Sequence, residues 1–127
     1  MGLDCSHGAW SGQYSAFNRL RRAIANALGG SWPPHEDDSL DEDTWFIDDK
    51  WNEEEHKGIF LFMNHSDCDG EFTPDECRLV ARDLTEHVAP LLEELGEEQH
   101  FSYKRAVERF AAGCLDAANK GERLEFR

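Results

Sequence analysis

The sequence predicts a mainly α fold: a single domain, residues 1–127, with three principal helices around one core and a short β element. Three observations carry that expectation. Apolar residues recur at three- and four-residue spacing in three separate stretches, the period of a helix face. Each stretch runs into a glycine, at Gly29-Gly30, Gly96 and Gly121. Hydrophobic residues make up 39% of the chain, among them four tryptophans and eight phenylalanines, enough for 127 residues to form a core without staples.

The opening, GLDCSHGAWSGQ, is rich in glycine and serine and reads as an ordered loop or a short strand and turn. A first helix is expected from about Ser15, which can cap it, with Phe17, Leu20, Ile24 and Leu28 facing inward. Arg19 and Arg22 fall on one side of it and Arg21 on another. Residues 31–57 start with Pro33-Pro34 and an acidic run, yet Trp45, Phe46, Ile47 and Trp51 sit among the carboxylates. Disordered segments are poor in aromatics, so this reads as a long loop or partly helical flap docked by its rings. It is either a lid over a ligand site or a solvated connector pinned by tryptophans.

Residues 58–64, GIFLFMN, are continuously apolar, which fits a buried helical turn and a buried strand equally well. Thr73-Pro74-Asp75-Glu76 then spells a capping box with proline at the first helical position. Leu79, Val80, Leu84, Val88, Leu91, Leu92 and Leu95 carry that helix to Gly96, with a kink expected at Pro90. The last helix, from about Ser102 to Asn119, turns Tyr103, Val107, Phe110, Ala111, Cys114 and Ala118 inward. The tail GERLEFR can add a short strand.

The formal charge is −14, unevenly spread. Residues 1–30 hold one acid against three arginines, and residues 31–57 hold eleven acids against two lysines. So acidic a chain does not bind nucleic acid through a general basic surface. It suits cations or basic partners, or an imitation of nucleic-acid charge. The first ten residues contain no apolar run that would make a signal peptide, and no window approaches a membrane span. Met1-Gly2 with Ser6 fits a myristoylation pattern superficially, without the polybasic partner an anchor needs. Cys5, Cys68, Cys77 and Cys114 are therefore expected as reduced thiols in a cytoplasmic setting.

The most specific chemistry lies in residues 65–76, HSDCDGEFTPDE. Oxygen-bearing side chains alternate, a glycine permits a sharp turn, an apolar residue can pin the loop, and a glutamate closes a twelve-residue window. Such a loop wraps a hard cation. A turn followed by a capping box would explain the parts separately; the joint spacing of all five elements favours the metal. Here the chain resembles the EF-hand calcium loop, with Asp67 at its third position, Asp69 fifth, Gly70 sixth, Phe72 eighth and Glu76 twelfth. The resemblance implies Ca2+ held by Asp67, Asp69, the Glu71 carbonyl, Thr73 directly or through water, and Glu76. His65 departs from it, standing where the family has aspartate, and imidazole is a poor calcium ligand. No second copy follows, so a structural brace is expected rather than a sensor.

Two further constellations compete. Cys5, His7, His65 and Cys68 would suit tetrahedral Zn2+ if the two pairs meet, although the cysteines serve equally as small buried hydrophobes. Ser6, His7, Trp10 and Tyr14 precede a helix bearing Arg19 and Arg22. With Trp45 they would enclose a small anionic or nucleotide-like molecule. The alternative keeps Trp10 and Tyr14 in the core and pairs the arginines with the acidic run. No catalytic set is expected: HExxH, G-x-S-x-G, the P-loop and G-x-G-x-x-G are all missing. Cys5 and His7 on an extended segment would point to opposite faces.

The opening MGLD-x-SH-x-x-W-x-G-x-YS-x-F, the HSDCDGE loop and the LEF ending resemble a family of small uncharacterised proteins of bacteria and their phages. The matching residues are Ser6, His7, Trp10, Gly12, Tyr14, Ser15 and Phe17, with the loop and Leu124–Phe126. The expected function is a non-enzymatic intracellular small-molecule binding protein with a structural cation loop, in a phage setting one that sequesters a nucleotide-derived signal. The alternatives are an acidic interaction protein that mimics nucleic-acid charge on a basic host partner, and a metal-dependent hydrolase.

Overall fold

The structure, a computed structural model, describes residues 2–29, 51–52, 54–64, 70–95 and 103–126. Most of the acidic flap, Trp45 included, lies outside the described residues, as do residues 65–69. The described chain is mainly helical with two small two-stranded sheets.

β1 (Gly2–Asp4) and β2 (Ser11–Gln13) pair antiparallel, Leu3 opposite Gly12, and enclose a 3-10 turn at Ser6–Gly8. β2 runs straight into α1 (Tyr14–Ala27), so the cap position falls on extended Gln13 and not on Ser15. The strand already delivers the backbone in the extended conformation that a cap position requires. α1 buries Phe17, Leu20, Ile24 and Leu28 as expected, and the chain leaves it through Gly29 at φ 82, a left-handed turn that suits glycine.

The ambiguous stretch is a helix, α2 (Lys57–Asn64), and its N-terminus is capped from another element. Asp83 is fully buried, and its Oδ2 accepts from the Gly58 N–H at 2.7 Å and the Ile59 N–H at 3.3 Å. The Gly58 N–H, an orphan donor, is satisfied, the Ile59 N–H gains a second acceptor beside the His56 carbonyl at 3.0 Å, and a carboxylate sits at the positive end of the helix. A Cβ on Gly58 would lie 2.0 Å from the Leu79 carbonyl oxygen, so only glycine lets the backbones come this close.

α3 (Pro74–Asp83) opens with the full capping box and runs through a π-helical turn, Leu84–Val88, into α4 (Ala89–Leu95). The kink expected at Pro90 takes this form. The Ala89 N–H bonds the Leu84 carbonyl five residues back, and the wider turn accommodates a ring that blocks the usual ladder and brings no donor. α5 (Tyr103–Asn119) buries the expected face, with Tyr103 only half-buried, and also Gly113, where a Cβ would come within 2.6 Å of that of Ala9. β4 (Leu124–Glu125) pairs antiparallel with β3 (Glu71–Phe72), Leu124 opposite Phe72. The expected third helix is thus α5, and the expected second is interrupted into α3, the π turn and α4.

Phe17 is the hub of the core, with ring centroids of Trp10 at 5.2 Å, Phe62 at 5.6 Å, Phe110 at 6.2 Å and Phe126 at 6.3 Å. The rings come from α1, α2, α5 and both chain ends, and their edge-to-face contacts add to the area they bury. Arg21 lies in the same core, its guanidinium 4.5 Å from the Phe17 centroid and 5.7 Å from that of Phe62. A weakly hydrated planar cation on ring faces tolerates such a seat better than an ammonium would. No described helix is long and apolar enough to cross a membrane.

Candidate functional site

Both ends of the twelve-residue loop are framed. α2 stops at Asn64 and α3 starts at Pro74. Gly70 holds φ 96, a conformation glycine enters freely. Phe72 is buried with its ring 5.3 Å from that of Phe126. The Gly70 carbonyl accepts the Phe126 N–H at 2.9 Å, and Arg123 pairs with the Glu71 carboxylate at 2.5 Å, so the loop exit is tied to the C-terminal tail twice over. Thr73 Oγ1 accepts from the Glu76 N–H at 3.2 Å, and Glu76 Oε1 accepts from the Thr73 N–H at 2.9 Å. Two expected cation ligands are therefore engaged in capping α3. His65, Asp67, Cys68 and Asp69 lie outside the described residues. Among the described residues, no group of three or more His, Cys, Asp or Glu could hold a metal ion.

The described members of the second expected set stand in different environments. Trp10 is a core residue, only 6% exposed. Tyr14 opens α1, Arg19 is exposed, and Trp45 is outside the described residues. Arg22 is half-buried, and its Nε is enclosed without a hydrogen-bond partner among the described residues.

Ser6 and His7 are joined to the C-terminal tail. Ser6 Oγ lies 2.9 Å from His7 Nδ1 and accepts the Glu125 N–H at 2.8 Å. His7 Nε2 lies 3.0 Å from Glu122 Oε1. Arg109 Nε donates to the Gly8 carbonyl at 2.8 Å. With both ring nitrogens of His7 in hydrogen bonds, the zinc reading would have to break one of them. One thiol of that reading, Cys5, is buried, and burial with the nearby Asp4 charge pushes it up to about 12.

Several features were not expected from the sequence. Arg21 stands four residues after Phe17, and Asp83 four after Leu79, so helical spacing alone marks both as inner-face polar groups. Cys77 on α3 and Cys114 on α5 share a hydrogen bond that lowers the former and raises the latter, with burial adding to the rise. Trp51, His56 and His87 form a ring cluster beside the π turn, with centroids 4.9 to 5.6 Å apart. Glu122 reaches His7 across a separation of 115 residues, for which the sequence carries no signal. No family of known proteins, no curated protein and no solved structure matches the chain.

Proposed function

We propose that this chain is a cation-braced binding protein, with one Ca2+ in residues 65–76 locking the loop to the core and the C-terminal strand. The observation that carries the reading is the frame of that loop: a helix ending at Asn64, Gly70 at φ 96, Phe72 buried and a helix beginning at Pro74. These are the positions at which a cation loop must turn, anchor and re-enter helix. Native mass spectrometry before and after chelation tests it. One bound calcium, lost with chelator and missing from Asp69→Asn, is the expected result. A bare chain whose melting temperature ignores added Ca2+ overturns the reading, and bound zinc moves the metal to the thiol and imidazole set.

A small anionic molecule is the ligand we assign to the Arg22 side of α1. The enclosed Arg22 Nε, with no partner among the described residues, favours this, since a guanidinium suits phosphate or carboxylate. Retained inorganic phosphate that disappears in Arg22→Ala, with folding intact, would support it; equal retention would not. The three described cysteines are free thiols, which suits a reducing compartment such as the cytoplasm.

A further inference from the structure

We propose that Ser6 is an activated nucleophile for acyl transfer from carboxylic esters, with His7 as its general base and Glu122 as the positioning residue. Proton accounting fixes the direction of the relay. A carboxylate only accepts hydrogen bonds, so the 3.0 Å contact between Glu122 Oε1 and His7 puts a proton on Nε2. In the neutral imidazole that leaves the Nδ1 lone pair facing Ser6 Oγ at 2.9 Å, where it receives the hydroxyl proton. Hydroxyl, imidazole and carboxylate thus stand in the order of nucleophile, base and orienting group, which is recognised by geometry and not by position in the chain. The Glu125 N–H at 2.8 Å holds the oxygen in place and leaves it a lone pair for attack.

The backbone supports the same assignment. His7 has φ 60 and ψ 20, and among the described residues no other non-glycine has positive φ. A left-handed non-glycine residue costs on the order of 1 kcal/mol and persists where its surroundings over-determine it. Here that conformation lets one ring touch both its neighbour in sequence and a carboxylate 115 residues away. Glu122 is about half exposed, so the relay opens to solvent on the tail side. The Arg109 guanidinium, bonded to the Gly8 carbonyl, places a positive charge at the same turn and favours an ester that carries a negative group.

In the step itself Ser6 Oγ bonds the ester carbonyl carbon while its proton passes to His7 Nδ1. The resulting imidazolium returns that proton to the departing alkoxide as the carbon–oxygen bond breaks, releasing an alcohol. Water then attacks acyl-Ser6 by the same route, releasing the acid and restoring the hydroxyl. None of these residues lies in residues 65–76, so failure of the calcium reading leaves the assignment standing, and the reverse.

The test is a fluorophosphonate probe on the folded full chain, read by intact mass and peptide mapping, alongside hydrolysis of p-nitrophenyl acetate. The expected result is one adduct on Ser6. His7→Asn, which tolerates positive φ, should slow labelling and hydrolysis about 100-fold or more at unchanged melting temperature. Glu122→Gln should slow both about 10-fold and shift their pH dependence, which a purely structural contact would not do. An unmodified wild-type chain, an adduct elsewhere, or equal rates in folded His7→Asn would overturn the proposal.

Discussion

At the scale of single residues, three positions carry constraints far larger than their exposure in sequence suggests. Gly58→Ala must displace the Leu79 backbone, because its Cβ would arrive at 2.0 Å from a carbonyl oxygen. It should cost about 3 kcal/mol in urea unfolding, at the upper end for overpacking. Asp83→Ala strands the Gly58 N–H in a buried place, while the Ile59 N–H keeps the His56 carbonyl, and should cost about 1–3 kcal/mol. Asp83→Asn keeps an acceptor oxygen for the Gly58 N–H and should lose less, giving up the charge at the helix end together with the Arg82 Nε contact to Oδ1 at 3.0 Å. Cys5 gives a pH signature. Its folded thiol is raised to about 12 from 9.0, so between those values the unfolded chain has shed a proton that the folded chain keeps. Stability therefore falls as pH rises through that window, by about 1.4 kcal/mol per unit, and Cys5→Ala should flatten that slope in alkaline melting curves.

At the scale of elements, the start of α3 is where the capping box meets the proposed cation site. Glu76 Oε1 serves the Thr73 N–H, and a twelfth-position glutamate that grips Ca2+ through both oxygens must loosen that bond. Glu76→Gln retains an acceptor for the cap and gives up the charge. It should leave the metal-free protein within about 0.5 kcal/mol of the parent while abolishing the rise in melting temperature with added Ca2+. Thr73→Ala should do the opposite, lowering metal-free stability by about 1 kcal/mol. The capping box was legible as Thr-Pro-Asp-Glu because its partners are three residues apart. The π turn was not, since proline announces a broken ladder without saying how neighbouring helices will have it repaired.

At the scale of the whole molecule, the C-terminal tail joins what the chain separates. Phe126 bridges Cys5, bonds Gly70 through its N–H and meets the Phe72 ring edge to face, while Glu125 holds Ser6. Phe126→Ala should cost about 3–5 kcal/mol and weaken the loop frame and the N-terminal turn together. Hydrogen exchange should show amides 5–10 and 70–72 losing protection in step. A loss confined to one of the two segments would mean they are independent.

The sequence by itself determined the three principal helical stretches, most of their inner faces and the cap at Thr73. Each is written in local spacing, and the period of a helix or the reach of a capping side chain spans four residues or fewer. Only the tertiary structure decided that residues 58–64 are a helix, because the group that caps them, Asp83, comes from α3. Only it set Phe17 against the rings of Phe62, Phe110 and Phe126 and brought Glu122 to His7. Those contacts close over long stretches of chain, and their geometry is set by how whole elements pack, which no short-range pattern encodes.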